Sequence, residues 1–118
     1  MQELTKVEEG IMQPLWDLKQ AFVKDIVERL PANPKPPYTT VSSVVRILVQ
    51  KGYVGFKAYG KTHEYFPLIS RAQYRAEVLK QLLTVHFGNS PSALVSYLVE
   101  EVLNRKEIQQ LRKLLDEE

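Results

Sequence analysis

No cysteine occurs anywhere in this chain. That excludes a disulfide framework, a thiolate metal site and a thiol nucleophile. No apolar run approaches the roughly 20 residues that a membrane-spanning helix needs. The opening residues Met1-Gln2-Glu3-Leu4-Thr5-Lys6 hold no apolar stretch of signal-peptide type, so the expected location is the cytoplasm, with no membrane insertion. There is no Gly-rich phosphate loop, and Ser42-Ser43 lacks the G-x-S-x-G setting of a nucleophile. His63 and His86 lie 23 residues apart, and neither has a carboxylate cluster at metal-ligand spacing. No catalytic constellation, metal or cofactor is therefore expected.

The most informative deficit is one of acid. Pro31 to His63 is a stretch of 33 residues without a single Asp or Glu, yet it holds Lys35, Arg46, Lys51, Lys57 and Lys61. The whole chain carries 16 basic and 14 acidic side chains, for a formal charge of +2, so the imbalance is local. A phosphate-rich partner is one physical reason to exclude carboxylates from a segment. Chance together with a Pro-rich loop is the other.

What remains is the composition of an ordinary globular protein, 44% hydrophobic and 25% charged over 118 residues. That length suits one compact domain, or a small domain with an appendage. A first helix is predicted over about residues 6–18. Thr5 is its N-cap and Glu8 the capping-box partner. Val7, Ile11, Leu15 and Leu18 form its apolar face, and Met12 and Trp16 widen it. Gly10 and Pro14 argue for a kink within that helix. A second helix over about 22–30 buries Phe22, Ile26, Val27 and Leu30 and stops at Pro31. Four prolines within residues 31–37 then make a stiff loop.

A third helix is predicted from Thr39 or Thr40 to Gln50, with Gly52 closing it. Val41, Val44, Val45 and Leu48 face one way; Thr39, Ser42, Ser43, Arg46 and Gln50 face the other. Residues 53–57 and 63–67 read as two strands of a hairpin turning at Gly60. Trp16 and Tyr53 are expected in the core. Three further helices follow. The first starts at the Ser70 N-cap, with Gln73 as partner, and carries Val78, Leu79, Leu82, Leu83, Val85 and Phe87. The second starts at Ser90-Pro91 and carries Leu94, Val95, Leu98, Val99 and Val102. The third starts at Asn104 with Glu107 and carries Ile108, Leu111, Leu114 and Leu115.

The expected fold class is mainly α with a small β-hairpin. Helix, helix, helix, hairpin is the order of a winged helix-turn-helix domain, assigned to residues 1–69. A C-terminal helical dimerisation region is assigned to residues 70–118. In a winged helix the third helix enters the DNA major groove and the hairpin reaches the flanking backbone. On that reading Thr39, Thr40, Ser42, Ser43 and Arg46 read bases, with Arg46 suited to guanine. Lys57, Tyr59, Lys61 and Thr62 hold phosphates. Three short amphipathic helices alone bury little surface. A second copy covering Leu79, Leu82, Leu83, Leu94, Leu98, Val102, Ile108, Leu111 and Leu115 would solve this and place two reading heads on a palindrome. Packing back onto the first domain is the alternative.

Several segments in order resemble the penicillinase-repressor (BlaI/MecI-type) family of winged-helix transcriptional repressors. They are Leu4-Thr5-Lys6-Val7-Glu8-Glu9 with Ile11-Met12 and Leu15-Trp16, then Asp25-Ile26-Val27, then Tyr38-Thr39-Thr40-Val41 with Val45-Arg46-Ile47-Leu48 and Lys51-Gly52-Tyr53. The hairpin from Tyr59 to Leu68, Leu94-Val95, and Leu103 to Ile108 continue the likeness. The resemblance implies a homodimeric repressor on a palindromic double-stranded DNA operator. It also implies a membrane sensor-protease that triggers cleavage in the dimerisation region, near Ser96-Tyr97. The family pattern has Asn where this chain has Ser96, and Gly10 and Pro14 depart from its first helix. The rival reading is a winged-helix module that binds proteins without sequence-specific DNA binding, because fold does not determine function.

Overall fold

A computed structural model describes residues 2–117. Its elements are α1 (Lys6–Leu18), α2 (Val23–Arg29), α3 (Tyr38–Gln50), β1 (Val54–Tyr59), β2 (Thr62–Pro67), α4 (Arg71–His86), α5 (Pro91–Tyr97), a π-helical turn (Leu98–Val102) and α6 (Arg105–Asp116). The chain forms two compact units, one ending at Tyr74 and one beginning at Arg75.

The first unit has the winged helix-turn-helix arrangement, three helices followed by a two-stranded antiparallel hairpin. The caps of α1 are those its sequence predicts. Thr5 Oγ1 accepts from the Glu8 N–H at 3.1 Å, and Glu8 Oε1 accepts from the Thr5 N–H at 2.8 Å. The helix runs through Gly10 and Pro14 as one element, with Pro14 buried. Its inward face differs from the predicted one. Val7 is exposed, and the core side is built by Glu8, Ile11, Met12, Leu15 and Trp16. Glu8 takes the buried place beside Val7, and its partner Lys51, 43 positions away, is one that helical periodicity cannot reveal.

Helix α2 begins one residue later than predicted. The Asp25 carboxylate accepts from the Phe22 N–H at 3.0 Å and caps the first turn. Val23, Ile26 and Leu30 take the buried positions, with Phe22 half-buried. They meet Met12 and Leu15 of α1 and Val41, Val45 and Leu48 of α3 in one core with Tyr53, Val54 and Tyr65. Trp16 is buried too, and its indole N–H donates to the Ile69 carbonyl at 2.8 Å. Ala21 exchanges two backbone hydrogen bonds with Tyr65, at 2.9 and 2.8 Å, which ties the α1–α2 connection to the edge of β2.

Gly52, at φ 85°, lets the chain reverse from α3 into β1. The hairpin register pairs Tyr59 with Thr62, Ala58 with His63, Lys57 with Glu64 and Phe56 with Tyr65, and Gly60 sits at the turn with φ 62°.

The second unit has little interior of its own. Helix α4 starts within the first unit, where Ser70 and Gln73 cap it reciprocally, at 2.8 and 3.1 Å. Ser90 caps α5 through the Ala93 N–H at 3.1 Å. Asn104 and Glu107 form the capping box of α6, at 3.0 and 2.8 Å. Gly88 and Asn89 both take positive φ between α4 and α5. Leu83, Phe87, Leu94, Leu98, Leu103, Ile108 and Leu111 are half-buried, and no residue described in these helices is fully buried. The helix predicted to carry Leu94 through Val102 is divided, because the backbone changes from α to π winding at Leu98.

Candidate nucleic-acid interface

Helix α3 presents two chemically distinct faces. Val41, Val45 and Leu48 are buried, with Val44 and Val49 packed beside them. Thr39, Thr40, Ser43, Arg46, Ile47 and Gln50 are exposed; Ser42 is half-buried at the boundary. The exposed face carries hydroxyls, an amide, a guanidinium and one branched alkyl group, with no carboxylate between Tyr38 and Gln50. The Ser43 hydroxyl donates back to the Thr39 carbonyl at 3.0 Å, so its free lone pairs point outward as acceptors.

The hairpin supplies the second group of predicted residues. Lys57, Tyr59, Lys61 and Thr62 are all exposed, as the sequence predicts. The Lys57 ammonium sits 5.4 Å from the centre of the Tyr59 ring, a cation–π contact that also restrains both side chains. Tyr59 packs in turn on Phe22, with ring centres 6.1 Å apart. His63 is a strand residue stacked on Phe56 at 4.5 Å. Arg46 lies near enough to the hairpin for its charge to act on Tyr65. Burial pushes the Tyr65 phenol above its ordinary value, and the Arg46 charge opposes that rise.

Not every cation of the acid-free stretch belongs to this surface. Lys51 pairs with the buried Glu8 carboxylate at 2.7 Å and also donates to the Glu3 carbonyl at 3.2 Å. Lys35 donates to the carbonyls of Glu28 and Leu30 and so closes the C-terminal end of α2. Two of the five basic residues counted from the sequence thus serve the fold. Arg46, Lys57 and Lys61 are exposed and, among the described residues, make no such bond to the backbone. Glu64 lies directly across from Lys57 in the hairpin register and brings a carboxylate onto the same face of the ribbon. It is the first acid after the empty stretch. Reflecting the sequence about the turn at residues 60 and 61 would have revealed the pairing.

Thr39, Thr40, Ser43 and Arg46 of α3 are therefore exposed in the first unit, and so are the four hairpin residues. Chemically they offer a bidentate donor, several hydroxyls and two ammonium groups. Arg46 suits the O6 and N7 edge of guanine, and lysines suit phosphate oxygens. Among the described residues no group of three or more His, Asp or Glu could hold a metal ion. No helix there is long and apolar enough to cross a membrane.

The residues predicted to join two copies are all in the second unit. Leu79, Leu82, Val102 and Leu115 are exposed, whereas Leu83, Leu94, Leu98, Ile108 and Leu111 are half-buried. Val78, Val85, Val95, Val99 and Leu114 add further exposed apolar surface. Ser96 and Tyr97 are exposed at the end of α5, and Tyr97 packs edge-on against Phe87 with ring centres 5.8 Å apart.

The family profile described as penicillinase repressor matches residues 4–117. The methicillin resistance regulatory protein MecI of Staphylococcus aureus strain N315 is 24% identical over 115 residues, which is 97% of this chain and 94% of that protein. The MecI proteins of Staphylococcus epidermidis and Mammaliicoccus sciuri match to the same extent. Among solved structures, the CopR repressor is 25% identical with a TM-score of 0.48, covering 58% of this chain and all of the other.

Proposed function

The chain belongs to the penicillinase-repressor family, and from that premise we propose that this transcriptional repressor acts as a homodimer on palindromic operators. Thr39, Thr40, Ser42, Ser43 and Arg46 of α3 read base edges in the major groove. Lys57, Tyr59, Lys61 and Thr62 of the hairpin hold the flanking backbone. The observation that carries this reading is the exposed face of α3. It is polar, basic and free of carboxylates, and it adjoins a hairpin with two exposed lysines. A merely solvated helix face ordinarily mixes acids with bases.

The dimer rests on the second unit. Leu79, Leu82, Val102 and Leu115 stand exposed beside the half-buried Leu83, Leu94, Leu98, Ile108 and Leu111. Apolar surface on that scale favours association, and a closed two-fold pair is the simplest solution. Such a pair also matches two reading heads to two half-sites. A sensor-protease of the family type, acting on this chain, would meet Ser96 and Tyr97 exposed at the end of α5.

Selection from random duplex DNA at about physiological salt tests the proposal. The expected result is an enriched palindrome with half-sites about one or two helical turns apart. A folded protein that enriches no sequence would end the operator reading and favour a protein partner instead.

A further inference from the structure

Ile47 is an isoleucine in an unexpected place. It is 41% exposed although α3 has a well-filled buried side, and it stands among Ser43, Arg46 and Gln50 on the carboxylate-free face. Thr40, Ser43, Ile47 and Gln50 follow one another at spacings of three and four, so they form one line along the helix. The buried side of the helix is already occupied by Val41, Val45 and Leu48. Ile47 therefore contributes nothing to that core. Helical isoleucine also holds essentially one χ1 rotamer, so its methyl groups are presented in a stable position.

One turn before Ile47, the Ser43 hydroxyl directs its proton to the Thr39 carbonyl at 3.0 Å and offers lone pairs outward. An acceptor and a rigid apolar group about 5–6 Å apart on one helix face complement a particular pair of major-groove features. These are an exocyclic amino group, on adenine or cytosine, and the C5-methyl of thymine. A groove edge with a methyl on it offers a branched alkyl group at this place an apolar partner.

Resting on the DNA-binding reading above, we infer that Ile47 is a specificity residue that packs on a thymine C5-methyl in each half-site, with Ser43 accepting from a neighbouring base amino group. The occupant follows from the surroundings. Arg46 beside Ile47 and the hairpin lysines make the surface complementary to an anionic polymer, which an apolar protein ligand is not.

The test uses the full-length protein and the duplex enriched by the selection described above. Each thymine of the half-site is replaced in turn by deoxyuridine, which removes the methyl and leaves every hydrogen-bonding group in place. Wild-type protein is expected to lose about fivefold in affinity at one position per half-site. Ile47→Ser should bind the thymine and uracil duplexes equally at that position, and Ile47→Val should keep most of the discrimination. Ile47 is exposed, so none of these variants endangers folding. A wild-type protein indifferent to uracil at every position would overturn the inference while leaving specific DNA binding intact. Retention of full discrimination by Ile47→Ser would overturn it as well. Failure to enrich any duplex would remove the DNA-binding reading itself, and this inference with it.

Discussion

The Lys51 ammonium lies 2.7 Å from Glu8 Oε1, joining the C-terminal end of α3 to the first turn of α1. Glu8 is 5% exposed and is the buried acid of the core. Its carboxylate has two duties, since it also caps α1 through the Thr5 N–H. The pair therefore holds the end of α3 against α1.

Loss of this pair should be visible as a loss of stability. Glu8→Ala removes a cap and leaves a partly buried cation, at an expected cost of about 2–4 kcal/mol in chemical denaturation. A cost below about 0.5 kcal/mol, the range of ordinary surface changes, would mean that the pair is not structural. Lys51→Met should be destabilising as well, because it strands the buried carboxylate.

The same pair sets an acid limit. Burial pushes the Glu8 carboxyl up, but the Lys51 ammonium and the Thr5 N–H outweigh it and hold the group below the usual value of 4.5. A group depressed in the folded state stabilises fully above its unfolded value and loses that contribution as pH falls through the folded one. Wild-type stability should thus decline below about pH 4.5. Glu8→Gln should show a flatter profile there. Equal slopes for the two proteins would assign the acid sensitivity to other carboxylates.

Arg46 and Lys61 are expected to fail in different ways. Arg46→Ala should weaken binding to the enriched sequence by about 1–3 kcal/mol and relax preference at one base pair. Lys61→Ala should weaken all duplexes alike and reduce the salt slope by about one. Filter binding at several salt concentrations separates the two, and wild-type affinity for Arg46→Ala would show that another helix face does the reading.

Glu64 should act as a brake. It lies opposite Lys57 in the hairpin register, so Glu64→Gln removes a negative charge from beside an ammonium proposed to meet phosphate. Affinity for random DNA is expected to rise by about two- to fivefold at low salt, with the gain shrinking as salt increases. An unchanged affinity would remove Lys57 from the backbone contacts.

Self-association depends on the second unit. Leu82→Glu places a charge among exposed apolar side chains and should raise the dimer dissociation constant at least about tenfold. Sedimentation at several concentrations measures this. A wild-type protein that stays monomeric at high concentration would remove the dimer from the proposal.

Much of this protein was legible in its residues. Local chemistry decided three of the helix starts, since a capping box requires two side chains three positions apart; α3, predicted from Thr39 or Thr40, begins at Tyr38 without a side-chain cap. Thr5 with Glu8, Ser70 with Gln73, and Asn104 with Glu107 all make the bonds their spacing predicts. The valine stripe of α3 and the turn at Gly60 were equally local, and so was the carboxylate-free face opposite the valines. The winged-helix order followed from them.

Tertiary structure decided what depends on partners far along the chain. Lys51 looked like one more cation for a phosphate until Glu8, 43 positions away, neutralised it. Val7 had the periodicity of a core residue, yet it stands in solvent while Glu8 takes the buried place beside it. Strand pairing likewise brought Glu64 opposite Lys57. Periodicity reports which residues share a face, because that follows from helix geometry alone. Which face turns inward, and which charges remain free, are settled by the summed packing and desolvation of the whole fold.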